Sequence, residues 1–452
     1  MKYGAYDDTN PMHVQWLGSL PKHWSLRRLK ATATYCVSNV DKVPAEDEVP
    51  VRLCNYTDVY YNDYIQPEMG LMETTATLEE IRKFGLRVND VVITKDSEDW
   101  RDIAVPAMVT KTASDLVCGY HLAIVRPSVG RLHGPYLLRL FQSSAVNQQF
   151  QITASGVTRY GLPKSAIGEA WIPLPPIDEQ QTIARFLDAK TAQIDELIAK
   201  KRQLIAKLKE KRQALIARTV TRGLPPEAAR AAGLEPNPEM RDSGVDWLGT
   251  IPERWKIKAI KWESAVQRGA SPRPIDDPSY FDDDGEYAWV RISDVTAAGM
   301  YLETTEQRLS DLGSSSSVKM RPGQLFLSIA GTVGKPCIAR IKCCIHDGFV
   351  YFPQWKGDPR FLFYVFASGE PYKGLGKMGT QLNLNTDTVG SIVIGVPDTA
   401  EQKLISDYLD KATLELDSMA ATVEAAIERL VEYRQALITS AVTGKIDVRA
   451  LA

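Results

Sequence analysis

The chain has 452 residues, a formal net charge of −2 and 44% hydrophobic residues. This composition is typical of a globular protein with two or three domains, and it excludes disorder on a large scale. The strong basic excess of many nucleic-acid-binding domains is missing, although a local basic surface can still neutralise phosphates. No run approaches the roughly 18 apolar residues of a membrane helix. The N-terminus lacks a signal-peptide core, so we expect a cytoplasmic protein.

The chain is a tandem repeat with a very long period. The first copy begins with WLGSLPKHW at Trp16, and the second begins with WLGTIPERW at Trp247. Short β-rich runs broken by Gly, Asp and Pro follow each beginning. They end in WIPLPPIDEQ at Trp171 and IVIGVPDTAEQ at Ile392, and a long helical pattern follows each. We therefore predict an α+β fold with two β-rich domains and two long helices.

The repeat predicts six segments. These are a first domain at residues 1–175, a long helix at 176–221, a linker at 222–240, a second domain at 241–397, a second long helix at 398–446 and a C-terminal tail at 447–452. The linker is assigned because Pro and Gly flank an Ala-rich stretch.

Both long helices carry an apolar residue at almost every seventh position, which is typical of a coiled-coil seam. The predicted seam consists of Leu187, Ile194, Leu208 and Leu215 in the first helix and Leu409, Leu416, Val423, Leu430 and Leu437 in the second. Lys201 interrupts the first row. Two further apolar residues, Leu197 and Leu204, fit either this seam or a surface for a partner protein.

The two helices differ in charge. The first has eleven basic and six acidic residues between Asp178 and Arg222, whereas the second has five basic and nine acidic residues between Asp398 and Lys445. Opposite charge favours pairing of the two helices with each other. The alternative is that each helix packs only on its own domain. Because two copies of a half-protein associate around a pseudo-two-fold axis, we expect the pair to be antiparallel.

These features together resemble the specificity subunit of a type I restriction–modification system. The resemblance rests on a WLG-x-(I/L)-P-x-x-W beginning, a variable domain, a P-x-P-P-x-x-EQ segment and a long helix, all repeated in order. The second segment, GVPDTAEQ, departs from the pattern because it lacks the double proline, while Glu401 and Gln402 match it.

The resemblance implies that each variable domain is a target-recognition domain that reads one half of a split, asymmetric site in double-stranded DNA. It implies that the paired helices set the gap between the halves and dock two methyltransferase (modification) subunits. Restriction (translocase–nuclease) subunits would join this core. No cofactor is expected in this chain, and S-adenosylmethionine and ATP are expected in the partner subunits.

The sequence does not match the motifs that would give this chain a catalytic, cofactor-binding or metal-binding site of its own. The DPSY stretch at Asp277 has Ser279 where an amino-methyltransferase loop has its second proline, and GTVGKP at Gly331 has Pro336 where a phosphate loop has Ser or Thr. Neither the five histidines nor the six cysteines show metal-ligand spacing. We therefore predict no catalytic, cofactor-binding or metal-binding residues and expect free thiols.

We expect the side chains that contact DNA to lie on loops of both β-rich domains, because loops on a rigid scaffold often carry binding residues. The candidates are Lys95, Arg101, Lys111, Arg159 and Tyr160 in the first domain and Arg268, Arg273, Lys335, Gln381, Asn383 and Asn385 in the second. Any single Lys or Arg of this set is more often an ordinary solvated charge than a DNA contact. The loops at Gly156 and Gly379 lie at equivalent places in the two copies.

Two other functions stay open. A non-catalytic coiled-coil adaptor that binds only protein would explain the helices but leave two diverged domains without a task. A fused methyltransferase or nuclease would need catalytic motifs that the sequence does not provide. Because the copies match at their beginnings and helices and diverge between them, we expect two domains that read different half-sites.

Overall fold

The computed structural model describes residues 3–12, 14, 16–373, 375 and 384–449. The chain forms two compact units. Unit 1 comprises Met1–Lys201 and Ala425–Ala452, and unit 2 comprises Arg202–Glu424. Each unit therefore contains one β-rich domain, part of the first long helix and part of the second.

The helices of the described residues include two very long ones, α6 and α13. The α-helices are α1 (Tyr56–Tyr60), α2 (Leu78–Phe84), α3 (Gly134–Gln142), α4 (Ser144–Thr153), α5 (Lys164–Glu169), α6 (Ile177–Arg222), α7 (Pro226–Ala231), α8 (Ile260–Glu263), α9 (Ile292–Ala297), α10 (Asp311–Ser315), α11 (Pro359–Ala367), α12 (Thr386–Ser391) and α13 (Thr399–Val442). Single 3-10 turns cover Leu29–Ala31, Trp100–Asp102, Pro278–Tyr280 and Glu370–Tyr372.

The strands are short, as expected for runs broken by turn residues. In unit 1 they are β1 (Thr9–Pro11), β2 (Ser19–Pro21), β3 (Ser25–Arg28), β4 (Ala33–Val37), β5 (Val49–Cys54), β6 (Tyr64–Ile65), β7 (Met72–Ala76), β8 (Val91–Thr94), β9 (Asp96–Ser97), β10 (Pro106–Val109), β11 (Leu116–Cys118), β12 (Leu122–Pro127), β13 (Tyr160–Gly161) and β14 (Trp171–Leu174). In unit 2 they are β15 (Met240–Asp242), β16 (Thr250–Pro252), β17 (Lys256–Ala259), β18 (Gln267–Arg268), β19 (Tyr287–Val290), β20 (Tyr301–Leu302), β21 (Gln307–Leu309), β22 (Val318–Met320), β23 (Leu325–Ser328), β24 (Pro336–Ala339), β25 (Cys343–Ile345), β26 (Phe349–Tyr351) and β27 (Val393–Val396).

Unit 1 is built on a five-stranded sheet in the order β4-β12-β8-β10-β6, beside a three-stranded sheet in the order β11-β5-β7. Every residue of the central strand β8 is buried, which accounts for its uninterrupted apolar sequence, VVI. The apolar side chains of β8 divide between two clusters. Val91 and Ile93 join the core that also holds helix α3, whereas Val92 packs among β5 and β11.

Unit 2 repeats this plan. Its five-stranded sheet has the order β18-β26-β23-β24-β20, and a four-stranded sheet has the order β21-β19-β25-β22. Strand β23 occupies the place of β8 and is also fully buried. The matching orders of the two five-stranded sheets show that the two β-rich domains share one fold although their sequences diverge.

Each repeated beginning forms a small hairpin and buries a tryptophan. Strands β1 and β2 pair in unit 1, as β15 and β16 do in unit 2. Trp24 and Trp255 are both buried in the cores of their units. A glycine that ends a long helix lies against each of them, Gly444 beside Trp24 and Gly223 beside Trp255, with φ of +70° and +79°. These left-handed conformations account for the ends of α13 and α6.

The start of each long helix is attached to its own domain by a glutamine. In unit 1, the side-chain oxygen of Gln180 accepts from the backbone N–H of His133 at 2.9 Å, and its nitrogen donates to the carbonyl of Pro175 at 2.9 Å. In unit 2, Gln402 accepts from Asp358 at 3.0 Å and donates to Pro397 at 2.9 Å. His133 and Asp358 are the residues that precede α3 and α11. Each glutamine therefore satisfies one unpaired N–H at the beginning of a domain helix.

In unit 1 the early part of α6 packs against the late part of α13. Ile194, Ile198 and Leu437 are buried in one core cluster. At the edge of this contact, Arg434 of α13 lies 3.0 Å from Asp195 of α6 and also 3.0 Å from Asp63 of the domain. The apolar contact and the ion pairs together join both helices to the first domain.

In unit 2 the late part of α6 packs against the early part of α13. Ile216 and Leu409 are buried in the same core cluster, and Arg212 of α6 lies 2.9 Å from Asp417 of α13. Because early α6 meets late α13 in one unit and late α6 meets early α13 in the other, the two helices form an antiparallel coiled coil. This is the arrangement that the helix charges and the repeat predicted.

The predicted seam residues are all at least partly covered. Leu187, Ile194, Leu409, Leu416 and Leu437 are buried, while Leu208, Leu215, Val423 and Leu430 are half-buried. Leu197 and Leu204 are 43% and 45% exposed, so they lie on the outer surface of α6.

The segment between the two copies is structured. It contains α7, and Leu224 and Ala229 are buried in the core of unit 2. The first long helix runs to Arg222, and the second ends at Val442, earlier than residue 446, because Gly444 turns the chain. Residues beyond this turn continue into the core of unit 1 through Ile446 and Val448.

All six cysteines are free thiols, and five of them are buried. Burial raises the pKa of Cys337 to about 12 and of Cys344 to about 11. Within the part of the chain that the structure describes, no helix is both long and apolar enough to cross a membrane.

Candidate nucleic-acid interface

Two hairpin loops occupy the same place in the two domains. In unit 1 the antiparallel strands β8 and β10 are joined by residues 95–105, and in unit 2 β23 and β24 are joined by residues 329–335. A second turn lies beside each hairpin, because β12 pairs with β8 and β26 pairs with β23. These turns are residues 119–121 and 346–348. Several DNA-contact candidates fall on or next to these four segments.

In unit 1 a chain of polar contacts joins Lys95, Asp96, His121 and Arg159. Asp96 Oδ1 accepts from Lys95 Nζ at 2.7 Å, and Asp96 Oδ2 lies 3.0 Å from His121 Nδ1. Arg159 Nη2 lies 3.1 Å from Nε2 of His121. Since a carboxylate only accepts and a guanidinium only donates, both contacts are satisfied by a neutral imidazole with its proton on Nδ1. The structure thus brings two candidates, Lys95 and Arg159, into one network.

The backbone holds this network in place. His121 has a φ of +66°, a conformation that few residues other than glycine adopt. Arg159 is presented by a tight turn that starts at Gly156, where φ is +146° and an added Cβ would lie 1.9 Å from the carbonyl oxygen of Arg159. Strand β13, which begins at the candidate Tyr160, pairs with β9 of the hairpin loop. The glycine and the strand pairing therefore place Arg159 beside residues 96 and 97.

Burial raises the pKa of the Asp96 carboxyl, but the hydrogen bonds from Lys95 and His121 outweigh it and leave the pKa below its ordinary value. Asp96 therefore stays ionised at neutral pH. An ionised Asp96 fixes both the ammonium of Lys95 and the ring of His121, and through that ring it positions Arg159.

An open cavity of about 550 Å³ adjoins the network. One wall is helix α1, where the rings of Tyr56 and Tyr60 stack 5.5 Å apart, and Tyr61, which follows the helix, is 76% exposed. The other wall is the hairpin loop with Asp96, Ser97, Glu98, Asp99 and Asp102, and Arg159 lies at the edge. Tyr56 and Tyr60 are attached to the loop, because Tyr56 donates to Ser97 at 3.3 Å and Tyr60 donates to Asp102 at 3.2 Å.

In unit 2 the corresponding turn gathers two candidate arginines around Asp347. Arg273 Nη2 lies 3.1 Å from the Asp347 carboxylate, and Arg268 donates to the Asp347 backbone carbonyl. Ser271 donates to the same carboxylate at 2.8 Å. The hydrogen bond from Ser271, with the charges of both arginines, lowers the pKa of Asp347. Next to it, burial lowers the pKa of His346.

Lys335 is the only charged residue of the second hairpin loop. Its Nζ donates to the carbonyl of Thr296 at 2.8 Å, which leaves two further N–H groups. Burial lowers its pKa from the ordinary value. Thr332 of the same loop is exposed and its hydroxyl lies 2.8 Å from that of Thr296.

Other candidates lie apart from these clusters. Arg101 is paired with Asp99 at 2.6 Å, and Lys111 is paired with Glu68 at 3.3 Å. Asn385 caps helix α12 by accepting from the N–H of Thr388 at 2.8 Å. Gln381, Asn383 and the loop at Gly379 lie outside the described residues.

Sequence reasoning missed the residues that hold the candidate cations. Asp96, His121 and Asp347 are not near Arg159 or Arg273 in the chain, so no local spacing indicated them. The tyrosines of α1 had a signal in the run NYTDVYYNDY, which is unusually rich in aromatic residues. Among the described residues, no group of three or more His, Cys, Asp or Glu side chains is placed to hold a metal ion.

A family model described as the type I restriction modification DNA specificity domain matches residues 43–207 and 266–429, which is well over half of the chain. The chain belongs to this family. The two matches correspond to the two copies of the repeat. This family member is thus a specificity subunit of a type I restriction–modification system, with two recognition domains and two paired helices.

Known proteins of this kind match along almost the whole length. A Methanocaldococcus jannaschii protein that carries the name of the MjaX type I restriction enzyme specificity subunit is 22% identical over 440 residues, covering 96% of both chains. A chain from a structure on complex assembly and conformational transition of the type I R-M system has a TM-score of 0.70 at 16% identity, covering 94% of this chain and 99% of that one. The HsdS subunit of Thermoanaerobacter tengcongensis has a TM-score of 0.53 at 17% identity, covering 94% and 98%. These structural likenesses describe the fold of the specificity subunit.

Proposed function

We propose that the two domains read the two unlike halves of a split, asymmetric sequence in double-stranded DNA, and that the paired helices set the gap between them. The helices also dock two methyltransferase subunits, to which restriction subunits attach. The chain itself is non-catalytic and works in the cytoplasm, while S-adenosylmethionine and ATP are used by the partner subunits.

The observation that carries this proposal is a constant frame with variable loops. Contacts of the frame recur at a spacing of 222 residues, as for Gln180 and Gln402 or Arg212 and Arg434. The hairpin loops at residues 95–105 and 329–335 differ in length and in charge. A scaffold that is repeated while its exposed loops diverge is what two different half-sites require.

The candidate contacts divide into two kinds. Lys and Arg side chains on phosphates supply affinity without sequence information, whereas groups at base edges supply specificity. Arg159 is the strongest base-edge candidate, because the imidazole of His121 orients it. Arg101 and Lys111 have 70% and 60% of their side chains accessible and suit phosphate contacts.

The test is a genome-wide map of methylated bases in cells that express this chain with a cognate methyltransferase subunit. The expected result is a split motif with two unlike halves, which disappears when this chain is omitted. Two identical halves would contradict the proposal. So would an absence of new methylation when the purified complex is shown to contain both kinds of subunit, and this outcome would favour a protein-only adaptor.

A further inference from the structure

The two hairpin loops have opposite electrostatic character although they occupy the same place in the same fold. Residues 95–105 contain four acids, Asp96, Glu98, Asp99 and Asp102, and two bases. Residues 329–335 contain no acid and one base, Lys335. A difference of this kind at equivalent positions calls for a difference in what the loops contact.

Three of the four carboxylates of the first loop are already engaged. Asp96 binds Lys95 and His121, Asp99 pairs with Arg101 at 2.6 Å, and Asp102 accepts from the hydroxyl of Tyr60. Glu98 is the exception. It is exposed on the wall of the 550 Å³ cavity, and among the described residues it forms no hydrogen bond or ion pair.

Few groups can donate a hydrogen bond to the Glu98 carboxylate at this exposed position. A phosphate is excluded, because two like charges repel each other. A metal ion is not supported, since the described residues offer no cluster of ligands for one. The remaining donors on DNA are the amino groups of the bases. In the major groove these are N4 of cytosine and N6 of adenine, and a carboxylate accepts well from cytosine.

The second loop has the complementary chemistry. The Lys335 ammonium keeps two N–H groups beyond its bond to Thr296, and an ammonium cannot accept. The base that best matches a lysine donor is guanine, which presents O6 and N7 in the major groove.

We infer that the two loops read bases of opposite hydrogen-bonding polarity at equivalent points of the two half-sites. Glu98 of unit 1 accepts from the amino group of a cytosine or adenine, and Lys335 of unit 2 donates to a guanine. This inference rests on the proposed function, because it needs each domain to read one half-site. It adds the chemical class of one base in each half.

The experiment selects binding sites from a pool of random DNA duplexes with the complex of this chain and methyltransferase subunits. Wild type is compared with Glu98→Gln, Glu98→Lys and the matched control Glu79→Lys. Glu79 is an exposed carboxylate on α2 with no described partner. The expected wild-type motif has cytosine or adenine at one position, and Glu98→Gln favours adenine over cytosine there about fivefold or more relative to wild type, because an amide also donates to adenine N7.

Glu98→Lys is expected to change the preferred base at the same position to guanine, whereas Glu79→Lys leaves the motif unchanged. Lys335→Gln is expected to weaken a guanine preference in the other half-site only. The inference is overturned if Glu98→Lys and Glu79→Lys give the wild-type motif with the same general change in affinity. A wild-type motif whose bases do not respond to either loop overturns it while leaving the proposed function in place. If wild type selects no motif at all, both fail.

Discussion

Gln180 and Gln402 stand at the same point of the two copies and make the same pair of hydrogen bonds, one to the N–H before a domain helix and one to a proline carbonyl. Both glutamines are nearly fully buried. Their amides therefore take the place of water as hydrogen-bond partners of the buried backbone N–H and carbonyl groups. Truncation of one glutamine leaves these backbone groups unpaired.

Gln180→Ala and Gln402→Ala are each expected to lower the free energy of unfolding by about 1–3 kcal/mol. Urea unfolding followed by circular dichroism measures the change. Gln181→Ala and Lys403→Ala are matched controls, because both neighbours are exposed on the same helices. Losses no larger than those of the controls would show that the glutamine bonds do not stabilise the helix attachments.

Arg434 bridges Asp195 of α6 and Asp63 of the first domain, and its side chain is only 20% exposed. Its carboxylate partners are 50% and 40% exposed, so solvent screens both pairs. A double-mutant cycle with Arg434→Gln and Asp63→Asn is expected to give a coupling energy of about 0.2–1 kcal/mol that decreases with salt. The exposed Arg429 serves as the control. Zero coupling at low salt would mean that the Arg434–Asp63 pair contributes nothing to the stability of unit 1.

His346 is held neutral by its surroundings. The N–H of Gly348 donates to its Nδ1 at 2.8 Å, and burial lowers its pKa below the ordinary 6.5. The unfolded chain therefore binds a proton more readily than the folded one. The contribution of His346 to the free energy of unfolding is therefore fully present above about pH 6.5. It is lost progressively as the pH falls toward the pKa of His346 in the folded protein.

His346→Asn is expected to reduce the loss of stability at low pH. The measurement is the difference in free energy of unfolding between variant and wild type at several values between pH 5 and pH 8. His133 in unit 1 also has a pKa lowered by burial. The contribution of His133 to the pH dependence of stability is the same in variant and wild type, so it cancels in the difference. An unchanged pH profile would show that His346 does not control this part of the stability.

Arg159 and Arg101 are expected to differ in how they affect DNA binding. Arg159→Ala should relax the preference at one base, because the guanidinium is oriented toward a single direction by His121. Arg101→Ala should weaken binding to all sequences and reduce the slope of affinity against salt by about one.

Competition binding at several salt concentrations distinguishes the two effects. Arg82→Ala, which removes an exposed arginine on α2, is the control. If Arg159→Ala and Arg101→Ala show the same uniform loss, then Arg159 contacts phosphate and not a base.

The repeat could be predicted because its signals are local. The two beginnings, the two proline-containing segments and the two helices are continuous in the sequence, and the positions of Gly223 and Gly444 mark where the helices end. The apolar rows and the opposite charges of the two helices together favoured their pairing. The ion pair Arg212–Asp417 joins a base of the basic helix to an acid of the acidic helix, whereas Asp195–Arg434 joins the less common charge of each helix.

The candidate interface was less predictable because its contacts are made between distant segments. The charge of Lys95, Arg101, Lys111 and Arg273 makes them candidates, but each meets a carboxylate in the folded protein. The carboxylate of Asp347 lies 74 positions from Arg273 in the chain, so no pattern of neighbouring residues relates them. A focus on cations also leaves out Glu98, the acid of its loop that has no partner among the described residues.

The burial of the natural thiols makes the protein a favourable background for chemical labelling. Burial raises the pKa of all six cysteines, so they remain protonated at neutral pH, and all but the half-buried Cys36 are also shielded from solvent. A thiol introduced by Glu98→Cys would stand on the exposed cavity wall and react far faster than the others. Its alkylation rate, measured with and without a DNA duplex, would report directly on whether that cavity is covered when the protein holds its target.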